Sequence, residues 1–270
     1  MTLKTRRLSK TGPRFAYREQ GTGPAVVLIH GVGLQSAAWQ PQMAELAKGY
    51  RAIALDMPGH GGSDPLPTGA QLGKFVTWCE QAIRALELGP VSVAGHSMGA
   101  LIAAGLAVTN PTIVERVALL NGVFRRDPQA HLAVVERAAQ IRGGAVDLEG
   151  PIERWFTDAP SDRYARDLTA GWLRDVDLEG YATAYSAFAS GDATYADGFA
   201  KIACPLLALT GSDDPNSTPE MARKMAATAQ NGRAVVIEGQ RHMVGLTAPD
   251  QVNAHLFEWL KTPALTTASL

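Results

Sequence analysis

The stretch 91–105, VSVAGHSMGALIAAG, limits the fold of this 270-residue chain more than any other. Val91 and Val93 are β-branched, as a strand prefers, and Ala100 to Ala107 reads as a helix of small residues. Only Gly95-His96-Ser97-Met98-Gly99 separates the two, so a strand must turn into a helix with almost no loop. That join is a unit of α/β architecture.

The rest of the chain repeats the unit. Short apolar runs that read as buried strands occur at Ala25–His30, Arg51–Asp56, Val91–Gly95, Val117–Asn121, Pro205–Thr210 and Ala234–Glu238. Helical patterns lie between most of them, at Ala37–Lys48, Gln71–Leu88, Met98–Thr109, Pro219–Gln230 and Pro249–Leu260. Pro219 and Pro249 suit first helical turns, where a missing N–H costs nothing. Continuous apolar strands alternating with helices predict an α/β fold with a mostly parallel, doubly wound sheet covered on both faces. Leu3–Ser9 and Arg14–Glu19, separated by Thr11-Gly12-Pro13, add an antiparallel pair at the start. The rhythm breaks at residues 125–203, which carry helical stretches and many aromatics but no convincing strand. A structureless loop of that length is uncommon, so a helical cap is expected at 124–203, inserted between core segments 1–123 and 204–270. The tail after Lys261 is expected to fray.

Composition removes several function classes. With 46% hydrophobic and 19% charged residues and a formal net charge of -1, nothing favours nucleic acid or an anionic membrane. The N-terminus has basic residues without an apolar run behind them, so no signal peptide is expected, and no apolar run approaches bilayer length. Two cysteines, Cys79 and Cys204, form neither a disulfide framework nor a metal motif, which favours a reducing, cytoplasmic setting. No repeat or signal for an oligomeric state is present.

Gly95-x-Ser97-x-Gly99 between strand and helix matches a nucleophile elbow. In such an elbow the serine adopts an unfavourable backbone conformation, and side chains at plus or minus two positions collide across the turn. Its Oγ then points out above the sheet, where the N–H groups opening the next helix favour developing negative charge. The plainer alternative is a Gly-rich turn. Serine needs a base, and the base needs an acid to orient it. Of six histidines, His30, His60 and His96 precede or adjoin the serine, His131 lies in the insertion, and His255 falls within the last helix. His242 sits in a loop after a late strand, where a parallel sheet puts its chemistry. The acid is expected after Pro205–Thr210, where Asp213 and Asp214 both stand; the other of the two would cap the helix near Thr218 or bond its own turn. Asn121, ending the preceding strand, is an amide and cannot stabilise an imidazolium as a carboxylate does.

Taken in order, LIHGVGLQSAAW, LDMPGHGGSD, GHSMGA, TGSDDP and GQRHMV resemble the oxyanion, strand-end, elbow, acid and base loops of the α/β-hydrolase superfamily over about residues 25–260. The resemblance implies the triad Ser97, Asp214 and His242, with Asp214 selected by the family's Gly-x-x-Asp pattern from Gly211. It also implies an oxyanion hole from the backbone N–H groups of Val32 and Met98, with His30 and His60 shaping their loops. Serine at the elbow argues against the dehalogenases and epoxide hydrolases, which use aspartate there. HGVGLQSAAW, LLNGVFRR, ERWFTD and SDDPNSTPEMA look like 3-oxoadipate enol-lactonases and hydrolases of methylene-succinate amides, although those lactonases usually carry Gly-Leu-Ser at the elbow. The expected activity is metal-free, cofactor-free serine hydrolysis of a small ester, lactone or amide. A carbon–carbon hydrolase with the same triad is the alternative enzyme, with a perhydrolase or thioesterase more distant. A receptor-like fold that holds a ligand under its cap is the non-enzymatic one.

Arginine marks a possible carboxylate grip. Arg125 and Arg126 stand where the insertion leaves the core, Arg154 adjoins Trp155, and Arg241 precedes the base. Any of them reads equally as a surface residue. At least one of Arg125, Arg126 and Arg154 is expected to bind an acidic substrate by paired hydrogen bonds, between apolar walls from Trp155, Phe156, Trp172 and Tyr185.

Overall fold

The structure is a computed structural model that describes residues 2–145, 147 and 149–264, so the end of the expected frayed tail, 265–270, lies outside the described residues. Eight strands form one sheet: β1 Lys4–Arg7, β2 Arg14–Gln20, β3 Ala25–Ile29, β4 Arg51–Leu55, β5 Val91–His96, β6 Val114–Leu120, β7 Leu206–Gly211 and β8 Gly232–Ile237. Their order is β1-β2-β4-β3-β5-β6-β7-β8, antiparallel where β2 meets β1 and β4, and parallel from β4 through β8.

The alternation of side chains along each strand separates two cores. Val27, Ile29, Val93, Val117 and Leu119 face one side, packing with α2 Leu72–Ala85 and α3 Met98–Thr109. Val26, Leu28, Ala94, Ala118 and Leu209 face the other, against α1 Gln40–Leu46 and the last helix, Pro249–Lys261. Helix α3 has no polar face because the sheet, α2 and the inserted segment surround it. A Cβ on its Gly105 would come within 2.6 Å of both Tyr195 and Val76, so small residues there set the approach of its neighbours.

Two boundaries move for physical reasons. The helix expected from Ala37 divides into a 3-10 turn, Ser36–Trp39, followed by α1, whose first turn takes Pro41. Strand β6 starts three residues before the apolar run because Val114 and Arg116 still pair with Val91 and Ser92, across a register shift that leaves Glu115 between them.

Between β6 and β7 no strand occurs among the described residues. The chain runs through α4 Pro128–Arg142, α5 Glu149–Trp155, α6 Arg163–Asp175 and α7 Leu178–Gly191, with 3-10 turns at Pro160–Asp162 and Ala196–Lys201. The remaining helices are α8 Pro219–Thr228, α9 Val244–Thr247 and α10 Pro249–Lys261. No helix is long and apolar enough to cross a membrane among the described residues. Cys79 and Cys204 are both free thiols.

Candidate active site

Ser97 occupies the join of β5 and α3 with φ 55 and ψ -115, a conformation that L-residues rarely adopt. Its two glycines are obligatory on steric grounds. A Cβ at Gly95 would lie 2.0 Å from the Gly99 carbonyl oxygen, and one at Gly99 would lie 2.1 Å from that of Ile29. Both obstacles are backbone, so neither can swing aside.

His242 and Asp214 reach Ser97 from the loops after β8 and β7. Ser97 Oγ is 3.1 Å from His242 Nε2, and His242 Nδ1 is 2.8 Å from Asp214 Oδ2. With Nδ1–H donating to the carboxylate, Nε2 offers its lone pair to the serine hydroxyl. The other carboxylate oxygen, Oδ1, accepts from the backbone N–H of Asn216 at 2.9 Å and of Ser217 at 3.2 Å. Burial opposes ionisation of Asp214, but His242, the Asn121 amide and the Asn216 N–H outweigh it and hold the carboxyl below its ordinary range. Asp213 is exposed and its carboxylate accepts from Ser212 Oγ, while Thr218, not Asp213, caps α8.

Asn121 has a part that its amide character alone did not suggest. Its Nδ2 donates to Asp214 Oδ2 at 2.8 Å, and also lies 3.2 Å from Thr210 Oγ1 and 3.3 Å from the Arg241 carbonyl. Excluded as the acid, it is a fully buried donor that fixes Asp214.

Val32 lines the same cleft as Ser97, and Met98 is the first residue of α3, where N–H groups have no intrahelical acceptor. The loop carrying Val32 is held by two histidines. His30 Nε2 accepts from Met57 N–H at 2.9 Å, and His60 Nε2 accepts from Gly33 N–H at 3.0 Å. His96 Nε2 donates to the His242 carbonyl at 2.8 Å, steadying the base loop from beneath.

These three buried histidines make stability pH-dependent. Burial lowers all of them, His30 well below its ordinary value and His96 to about 3. Below the unfolded value of about 6.5 the unfolded chain takes up protons that the folded chain refuses. Stability is therefore complete above that value and falls with decreasing pH, by up to about 1.4 kcal/mol per unit for each histidine. The depressed Asp214 adds its loss only below the ordinary carboxylate range. Urea midpoints should drop between pH 7.5 and 5; a constant midpoint would contradict this account.

Above Ser97 and His242 opens a cleft of about 810 Å³, counting its mouth. Arg126, Arg154, Trp155 and Tyr185 line it. Arg125 does not: its positive φ of 45 turns the chain, and its exposed side chain pairs with Asp197 outside. Phe156 is buried in the core and Trp172 borders a separate crevice with Leu3 and Leu34, so neither forms a wall. Arg126 is present and partly engaged, its side chain 3% exposed, 3.4 Å from Asp192 and 4.4 Å above the Phe188 ring, while its Nη2 is buried without a hydrogen-bond partner among the described residues.

A cation that the sequence reading missed, Arg137, completes the lining. It follows Ala130 and Val134 on α4, all three facing the cleft at helical spacing, so the available signal was one charge on an otherwise apolar stripe. Arg137 Nη1 lies 3.4 Å from the Tyr185 hydroxyl. Burial and then the Arg137 cation lower the pKa of Arg154, whose Nε is buried without a partner. Among the described residues neither Arg137 nor Arg154 makes an ion pair. None of these residues groups into a metal-ligand cluster of three or more His, Cys, Asp or Glu among the described residues.

Residues 26–255 match the model of the alpha/beta hydrolase family, and the chain belongs to that family and is a hydrolase. It is 50% identical, over 97% of its length and 99% of the relative's, to the (E)-2-((N-methylformamido)methylene)succinate hydrolase of Acinetobacter baylyi. The 3-oxoadipate enol-lactonase 1 of the same organism is 28% identical, over 84% of this chain and 85% of that one. Among solved structures, the enol-lactonase of Burkholderia xenovorans superposes with a TM-score of 0.83 at 25% identity, covering 93% of this chain and 97% of that one. An esterase from Thermogutta terrifontis shares the fold, with a TM-score of 0.86 at 24% identity over 97% of this chain and 98% of that one.

Proposed function

We propose that this chain is a metal-free serine hydrolase that opens a small carboxylate-bearing amide or lactone beneath a helical cap, residues 124–203. Ser97 Oγ attacks the carbonyl carbon while His242 Nε2 takes its proton, and Asp214 stabilises the resulting imidazolium. The backbone N–H groups of Val32 and Met98 receive the developing oxyanion, a contribution of about 3 kcal/mol for each such donor. Collapse breaks the C–N or C–O bond, and His242 hands its proton to the departing nitrogen or oxygen. Water then attacks the acyl-Ser97 ester, gives its proton to His242, and releases the acid as Ser97 recovers its hydrogen. The free, widely separated cysteines fit a reducing cytoplasm.

The observation that carries the substrate class is the pair Arg137 and Arg154, two cations facing Ser97 across one cleft, neither in an ion pair among the described residues, with Asp147 reaching Arg154 only through its field. Two like charges brought together away from bulk water favour an anion between them. The succinate-derived substrate named for the Acinetobacter relative has the matching charge. Arg137→Ala and Arg154→Ala should each lose roughly 2–5 kcal/mol of transition-state binding on a carboxylate-bearing lactone. On its neutral methyl ester they should approach wild type. Equal behaviour on the two substrates would point instead to a neutral ester or lactone.

A further inference from the structure

We propose that Arg241 is a positioning residue that keys helix α5 to the base loop, and so sets how strongly this hydrolase prefers anionic substrates; the second part rests on the carboxylate reading above. Arg241 does not line the cleft. Its Nη1 instead donates to the carbonyls of Glu153 at 2.9 Å and Phe156 at 2.8 Å. Those two carbonyls bracket Arg154 and Trp155, which with Pro151 are the residues that α5 sends into the cleft.

Helix α5 needs this hold. It has seven residues, too few to be stable alone, and its last carbonyls have no intrahelical donors. A guanidinium there satisfies one of them, that of Glu153, together with the Phe156 carbonyl just past the helix, and complements the negative end of the helix. Arg241 is itself fixed at the backbone, where its carbonyl receives Asn121 Nδ2 at 3.3 Å. On either side, Asp213 N–H donates to the Gln240 carbonyl at 2.9 Å and His96 to that of His242 at 2.8 Å. The loop is thus tied to the core by its backbone and to α5 by one side chain. The Trp155 ring, centred 5.7 Å from that of His242, rests on the same loop.

Removing the side chain leaves Ser97, His242 and Asp214 with all their own hydrogen bonds, but frees the turn that aims Arg154. The loss therefore falls on substrate charge recognition, and KM carries more of it than kcat. In full-length Arg241→Ala, kcat/KM on a carboxylate-bearing lactone should fall by roughly 10- to 100-fold, the scale for misplacing a positioning group. On the methyl ester the change should stay within about threefold, as should the rate of Ser97 labelling by a fluorophosphonate. Arg241→Lys, which keeps a donor, should recover part of the loss. In an Arg154→Ala background Arg241→Ala should add little, because both act through one contact. Amide hydrogen exchange should quicken in α5 and stay unchanged in the sheet.

Equal losses on both substrates, full additivity with Arg154→Ala, or unchanged exchange in α5 would each overturn the assignment. The exchange measurement holds whatever the substrate is. A wild-type chain that resists the fluorophosphonate would signal failure of the serine-hydrolase reading instead.

Discussion

Ser97→Ala is expected to lower kcat/KM by roughly 10⁵- to 10⁶-fold and to abolish labelling by a fluorophosphonate. The size follows from what is removed. Without Oγ no acyl-enzyme forms, and the remaining rate comes from water attacking a substrate that the oxyanion donors still polarise. His242→Ala should cost nearly as much, since a serine hydroxyl without a base 3.1 Å away is a poor nucleophile. The double variant should be little worse than either, because the two side chains act as one unit. Thermal unfolding should report a folded protein, as the strain at position 97 belongs to the backbone and alanine inherits it. Wild-type turnover in Ser97→Ala would dismiss the mechanism.

Asp214→Asn is expected to cost about 10⁴-fold in kcat, against no more than threefold for Asp213→Asn. The surroundings make the amide fail in either orientation. With its oxygen toward His242, its NH₂ faces the N–H groups of Asn216 and Ser217, donor against donor. Turned over, it presents NH₂ to both His242 Nδ1 and the Asn121 amide, which forces the imidazole into the tautomer that cannot accept from Ser97. Among the described residues the Asp213 carboxylate meets only Ser212 Oγ, at an exposed position, so its charge is dispensable. A larger loss from Asp213→Asn would move the acid by one residue. Rates at saturating substrate, with circular dichroism as the control for folding, decide between them.

How far the sequence could be read depended on whether a feature was local. The elbow was legible because Gly95 and Gly99 answer to constraints inside five residues, and the strands because burial on both faces leaves uninterrupted apolar runs. Arg125 and Arg126 were not separable, since neighbours in sequence part company only when a positive φ turns the chain between them. Arg137 was missed because its relevance comes from α4 lying over the triad, a tertiary fact. Phe156 and Trp172 were not recognisable as non-lining residues, because aromatic residues look alike in sequence whether they fill a core or border a crevice. Asn121 illustrates a different failure: rejecting it as a carboxylate said nothing about its value as a donor.

The register of β6 against β7, Val117 beside Leu206, has a consequence for how this chain can change. Residues 121–205 leave one strand and return to its immediate neighbour, closing a long loop whose two ends the sheet already fixes. The entropy of closing such a loop rises only with the logarithm of its length, about 0.6 kcal/mol for each doubling. The excursion can therefore lengthen, shorten or be exchanged at modest thermodynamic cost while Ser97, Asp214 and His242 stay at the ends of the strands that close it. In this architecture the lining of the cleft is cheap to vary, and the loops carrying Ser97, Asp214 and His242 need not change with it.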